Sequence, residues 1–303
     1  MHVKTRLVFL RAGFAVLTLC NNGLCGSGSS ANLQKQFETI AKAAKGKVGV
    51  AVELLESRES VTLNAQEHFP MQSVYKLPIA MAALHQVDER KIKLEQPIEI
   101  TTNDFAIGMH SPVRDAHPLG TTLTLSNLLQ QMISASDGTA CDVLLRLLNC
   151  PSAVDGYLRS LGLTNIVVAT SEKEIGQDEL AQYRNWATPE AFNVLLRRLS
   201  EGRDLSASSR QILLQFLTDT STGPRRIKGL LPAGARVAHK TGTSQTVKGL
   251  TRATNDAGII SLPDGRHLVI TVFISDSTAD TATRDMVIAK VARAAWDHWV
   301  NLP

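Results

Sequence analysis

The stretch from residue 252 to residue 275 constrains the fold more than any other. Residues 252–262 and 267–275 are two apolar runs joined by Pro263-Asp264-Gly265, a strong turn signal. A hairpin implies antiparallel pairing. A second hairpin pattern stands near the other end of the chain, in "VGVAVELLES" (48–57) and "ESVTLNA" (59–65), and residues 236–241 add one more strand. Between these ends strand signals vanish. Residues 78–90, 125–134, 139–148, 152–161, 189–201 and 206–218 carry helical periodicity instead. Terminal helices are expected at 32–45 and 281–299, the latter with a stripe of Val287, Val291, Ala295, Trp296 and Trp299. The expected fold class is therefore α/β (α+β): an antiparallel sheet flanked by terminal helices, plus an all-helical domain. The expected division is 31–68 with 219–303 for the sheet domain and 69–218 for the helical one. The cleft between them is the natural place for a site. Residues 170–187 lack a clean period and read as a long loop, a feature that is uncommon in compact domains and often functional.

Composition narrows the function classes. The net charge of +4 is spread thinly, with no basic block beyond Arg197-Arg198 and Arg225-Arg226, which argues against nucleic-acid binding. Residues 1–30 read as a signal peptide and leader. A basic "MHVKTRLVFLR" precedes the short apolar run "AGFAVLTLC", which is too short to span a bilayer, and a small, polar tail follows. Export to the periplasm is expected, without stable membrane insertion. Leu19 and Leu24 stand before Cys20 and Cys25 where a lipidation signal needs a small residue, which argues against an anchor. Cys141 and Cys150 flank one helical segment, beyond disulfide reach along its axis, and are expected as free, buried thiols. The eight histidines show no metal-ligand spacing, so no metal and no cofactor are expected. No coiled-coil signature appears, and a monomer is the default.

"FPMQSVYKLPIAMAAL" (69–84) poses a chemical problem. It reads as an apolar, buried helix, yet Ser73 and Lys76 stand in its first turn. A buried ammonium is costly unless it is paired. Residues at i and i+3 share a helix face, so the lysine amine can reach the serine hydroxyl. A serine at a helix N-terminus also gains free N–H groups and a positive dipole end, which suits a nucleophile that generates an oxyanion. The plain alternative is an N-cap serine with a snorkelling lysine.

Three further stretches join it. "SDG" (136–138) falls between two helices. "HKTGTS" (239–244) ends a strand and offers a cation, hydroxyls and backbone N–H groups to an anion. Glu172 lies in the long loop beside Lys173 and Glu174. Each has a structural reading of its own: a capping turn, a blunted sheet edge, a solvated charge. Together, Ser-x-x-Lys, Ser-Asp-x and Lys-Thr-Gly in that order resemble the set found in class A β-lactamases and penicillin-binding proteins. From about Ala31 to the C-terminus the chain resembles class A, and "FPMQSVYK", "TGPRRIKGLLPAG", "VAHKTGTS", "ATNDAGIISLPDGR" and "QYRNW" resemble its PER/CfxA-like extended-spectrum branch.

The resemblance implies a serine β-lactamase/DD-peptidase-like fold and a hydrolase acting on a small-molecule β-lactam. Ser73 would be the nucleophile, Lys76 its activating neighbour, Ser136 the proton relay to the leaving nitrogen, and Glu172 the base that activates the deacylating water, with Glu174 its nearby rival. Backbone N–H groups of Ser73 and Thr243 would form an oxyanion hole. Lys240, Thr241, Gly242 and Thr243 would hold the substrate carboxylate, supported by Arg226 in preference to Arg225. His110 stands at the place of an aromatic gatepost. Gly138 replaces an asparagine that normally bonds the substrate's acylamide, which leaves room and removes a polar anchor. Gly176 replaces a second holder of the water. Thr170 and Asn185 stand where an arginine–aspartate bridge closes the loop neck, with Asp142 as the substitute tie. Two rivals follow from the same motifs: a DD-peptidase, which typically lacks the loop glutamate, and a non-hydrolysing β-lactam sensor, which needs a transmembrane and signalling region.

Overall fold

The computed structural model describes residues 25–301 together with Met1 and His2. Most of the expected leader lies outside the described residues. The first helix, Cys25–Ala41, begins seven residues ahead of the start expected at residue 32.

The sheet is built from both ends of the chain, as the hairpins require. Its strands run in the order Ser60–Leu63, Lys47–Leu54, His267–Ser277, Leu250–Ser261, Arg236–Thr243, and the neighbours are antiparallel. Both faces are covered. On one, Leu33 and Phe37 of the first helix and Val287, Val291 and Trp299 of the helix Thr281–Val300 pack on Val50, Val52, Ile270, Val272 and Ile274. On the other, Val269 and Phe273 meet Phe192 of the helix Pro189–Glu201. Successive residues of a strand point to opposite faces, so a strand buried on both sides reads as an unbroken apolar run. Side chains of this size each gain about 1.5–3 kcal/mol on burial.

The middle of the chain supplies helices, among them Lys76–Asp88, Leu125–Ser134 and Gly138–Leu147. It also holds short strands that the sequence reading missed. Phe69–Pro70 and Ile166–Val167 flank Trp186–Ala187, and Pro97–Ile100 pairs with Thr121–Thr124. Ladders of two to four residues carry too few side chains to print a clear period. The stretch expected as a long loop is likewise ordered: it contains the helix Glu172–Gln177 and a 3-10 segment, Glu179–Arg184. A capping box between Ser171 and Glu174 starts that helix. Cys141 and Cys150 are both free, but only Cys141 is buried; Cys150 is exposed at the start of the helix Pro151–Ser160.

Candidate active site

Ser73 does not sit in the long helix. It lies in a 3-10 turn, Gln72–Tyr75, and the helix begins at Lys76. Gln72 has a φ of +46°, a left-handed conformation that turns the chain sharply before Ser73. Such strain costs about 1–3 kcal/mol and persists only where the surroundings hold it. Asn255 does so from the sheet: its Nδ2 donates to Pro70 O (2.8 Å) and Met71 O (3.0 Å), while its Oδ1 accepts from Ile274 N (3.1 Å). Gly242 brings the last strand against the turn. A β-carbon there would stand 2.4 Å from Met71 O and 3.2 Å from Ser73 N, so only glycine allows this approach.

Lys76 is 1% exposed. Its Nζ donates to Ser136 O at 2.7 Å and stands 2.8 Å from Glu172 Oε1. The second contact is an ion pair rather than an aligned hydrogen bond, so Glu172 Oε1 keeps acceptor capacity inside the cavity. Burial pushes the ammonium's proton affinity down; the Glu172 carboxylate, with smaller contributions from Cys141 and Asp137, reverses this and leaves it above the ordinary lysine value.

Ser136 also adopts a left-handed backbone, with φ +61°. Its Oγ accepts from Lys240 Nζ at 2.9 Å. Lys240 is fully buried, and its proton affinity falls well below that of an ordinary lysine. Burial is the main cause and the like charge of Lys76 the next. Asp137 explains its place in "SDG": it caps the helix Gly138–Leu147 through Ala140 N (2.7 Å) and binds Val113 N (2.7 Å).

Glu172 is 1% exposed, held by a tie to its backbone. Asp142 accepts from Glu172 N (2.8 Å) and Lys173 N (2.9 Å). Burial, with the nearby Glu172 charge, raises the Asp142 carboxyl to about 7. At the loop neck Asn185 Oδ1 accepts from Ala169 N (2.7 Å) and Thr170 N (2.9 Å), and its Nδ2 donates to Thr170 O (2.9 Å). The rival Glu174 is engaged elsewhere. Its carboxylate accepts from Thr170 Oγ1 (2.8 Å) and Ser171 N (2.9 Å) as part of the capping box.

Ser73, Lys76, Ser136, Glu172, Thr241, Thr243, His110 and Gly176 line one cavity of about 440 Å³. Lys240, Gly242, Gly138 and Arg226 are not on its surface. Arg226 is buried behind Thr243: its guanidinium donates to Thr243 Oγ1 (2.8 Å), Gly242 O (3.1 Å), Asn255 O (2.9 Å) and Asp285 (2.8 Å). Its neighbour Arg225 points into solvent. His239 pairs with Asp256 at 2.8 Å under the sheet, a structural role. The cavity also recruits residues that carried no motif. Gln72 donates to Gln182 Oε1 (2.7 Å), and Thr222 Oγ1 lies 2.5 Å from Thr241 Oγ1. The room expected at Gly138 is filled. A β-carbon there would meet His110 O at 3.1 Å and Met109 Cβ at 3.3 Å, because the 106–110 segment folds onto the helix start.

The chain is similar to known proteins along nearly all its length. The profile of the β-lactamase enzyme family matches residues 32–299. "Extended-spectrum beta-lactamase PER-1" of Pseudomonas aeruginosa is 40% identical over 271 residues, 89% of this chain and 88% of that protein. "Beta-lactamase VEB-1" of the same organism is 37% identical over 272 residues, covering 89% and 91%. Among solved structures, a β-lactamase from Chitinophaga pinensis is 44% identical with a TM-score of 0.86, covering 88% of this chain and 98% of that one.

Proposed function

The chain belongs to the β-lactamase enzyme family and is a class A serine β-lactamase, and from that premise we propose how its residues divide the chemistry. Ser73 Oγ attacks the lactam carbonyl. Its proton leaves through the Lys76–Glu172 pair. The high proton affinity of Lys76 makes it an ammonium at rest, so it serves as a base only after handing its proton to Glu172, 2.8 Å away. Backbone N–H groups of Ser73 and Thr243 stabilise the oxyanion; one such donor is worth roughly 3–4 kcal/mol of barrier in a serine hydrolase. When the C–N bond breaks, Ser136 Oγ donates a proton to the nitrogen and is resupplied from Lys240, whose lowered proton affinity makes that transfer easy. The proton that acylation left on Glu172 passes back through Lys76 and replaces the one that Lys240 gave up, which frees the carboxylate; Glu172 then takes a proton from water, the hydroxide attacks the ester, and as the bond to Ser73 Oγ breaks Glu172 gives that proton to the serine. Thr241 and Thr243 bind the substrate carboxylate; Lys240 acts from behind them through Ser136 Oγ, and Arg226 orients Thr243 from behind.

One observation carries this reading: Ser73, Lys76, Ser136 and Glu172 converge on one cavity, with Lys76 Nζ 2.7 Å from Ser136 O and 2.8 Å from Glu172 Oε1. The buried Glu172 favours hydrolysis over a DD-peptidase or a sensor, because it supplies the base that acyl-ester release needs. PER-1 is described as extended-spectrum, which supports penicillins and cephalosporins as substrates. No helix among the described residues is long and apolar enough to cross a membrane. The basic and apolar leader pattern of residues 1–30 supports export to the periplasm, and a monomer is kept as the default. The two-part division at residues 69 and 218 is offered on the same footing.

The deciding experiment mixes a chromogenic cephalosporin with the mature enzyme and follows absorbance and intact mass together. Repeated turnover is expected. A lasting one-to-one adduct without turnover would move the chain to the peptidase or sensor reading.

A further inference from the structure

The helix Glu172–Gln177 carries Glu172 at its first position, and the leading N–H groups of a helix have no partner within it. Glu174 N donates to Ser171 Oγ at 3.3 Å. The two before it share one carboxylate: Glu172 N donates to Asp142 Oδ1 (2.8 Å) and Lys173 N to Asp142 Oδ2 (2.9 Å). Each oxygen of Asp142 thus holds one donor. Both bonds are charge-assisted only while the carboxyl is ionised.

The groups that face Asp142 do not lock it in that form. The Lys173 ammonium is turned away to Asn103 O. Lys76 is committed to Ser136 O and Glu172. Tyr75 and Cys141 pair with each other at 3.5 Å, and burial pushes the ionisation of both up, so they stay neutral. Glu172 brings a like charge. Among the described residues no cation forms an ion pair with Asp142, and its partial exposure lets water deliver a proton.

We propose that Asp142 is a proton-controlled positioning residue: ionised, it holds the helix that carries Glu172, and protonated by solvent it loosens that hold and slows hydrolysis. The inference rests on the β-lactamase reading and on the part of Glu172 in it. The added proton turns one acceptor oxygen into a hydroxyl facing an N–H and leaves the other with a neutral, weaker bond. The loosened groups are backbone, so Glu172 shifts as a whole, and a displacement of about 1 Å near the chemistry costs on the order of 100-fold in rate.

Asp142→Asn keeps the size, cannot ionise and offers one acceptor oxygen. The test measures kcat for benzylpenicillin with parent and variant from pH 6 to pH 8. Lys76 and Glu172 are unchanged in the variant, so the ratio of the two kcat values isolates Asp142. A parent-to-variant ratio of about 10 to 100 is expected at pH 8. With the parent carboxyl at about 7, the ratio is expected to fall about five- to tenfold by pH 6. A ratio that stays constant over this range means a tie that only holds the fold, and overturns the proposal. Should the variant not fold, amide exchange on the parent decides. Protection of the Glu172 and Lys173 N–H groups, relative to the helix Lys76–Asp88, is expected to drop several-fold from pH 8 to pH 6, and unchanged protection overturns the proposal. If the parent shows neither turnover nor an adduct on Ser73 at pH 8, the β-lactamase reading itself falls, and the proposal with it.

Discussion

Ser73 is the residue on which the covalent chemistry rests. Replacing it by alanine is expected to abolish penicillin labelling, read by intact mass; persistent labelling would move the nucleophile elsewhere. Glu172 is separable from it. Glu172→Gln keeps size and loses the base, so the acyl-enzyme is expected to accumulate while steady-state turnover falls by roughly 100-fold or more. Unchanged turnover would shift the base to another group. Glu174 is a poor substitute, because its carboxylate already accepts from Thr170 and Ser171 at the helix start. Lys76 answers the problem posed by a buried ammonium. It is tolerated because the Ser136 carbonyl and the Glu172 carboxylate receive it at 2.7 and 2.8 Å.

At the scale of elements, the segment Glu172–Gln177 is positioned by its neighbours rather than by its own length. Asp142 holds its first two N–H groups, and its carboxyl is raised from 3.8 to about 7. A raised carboxyl means that the folded state binds a proton more tightly than the unfolded one. The resulting stabilisation is full below about pH 4 and is lost as pH rises toward 7, on the order of 4 kcal/mol across that window. Asp142→Asn cannot titrate. The thermal midpoint of this variant relative to the parent is therefore expected to rise between pH 5 and pH 8; a flat difference would remove Asp142 as the titrating group. Gly176 sets the other contact of this element. Gly176→Ala forces a β-carbon toward Ile107 O, and overpacking of that kind costs about 1–3 kcal/mol, visible as a lowered thermal midpoint.

Across the whole molecule, the site is where the sheet meets the helices, and Asn255 is the joint. It binds the backbone at residues 70 and 71, just ahead of Ser73, and Ile274 N on the neighbouring strand. Asn255→Ala leaves two carbonyls and one N–H buried without their partner. A stability loss of about 2–4 kcal/mol is expected, together with a fall in kcat as the strained Gln72 turn relaxes. Denaturant unfolding and steady-state kinetics on the same variant check both; a stability loss with kcat unchanged would mean that the joint holds the fold but not the nucleophile.

The sequence by itself determined the long elements and the chemistry-bearing motifs. The hairpin ending in residues 267–275 and the helix pattern at residues 125–134 were legible because many side chains repeat one period. Ser-x-x-Lys and Lys-Thr-Gly were legible because a few residue types at fixed spacing carry the reaction. Tertiary structure decided what depends on close approach between distant segments. It put Ser73 in a strained turn, Arg226 behind Thr243, and the 106–110 backbone in the space expected at Gly138. It also ordered residues 170–187 through Asp142, Asn185 and a capping box. A hydrogen bond between residues thirty positions apart, or a carbonyl that leaves no room for a β-carbon, writes no period into either segment.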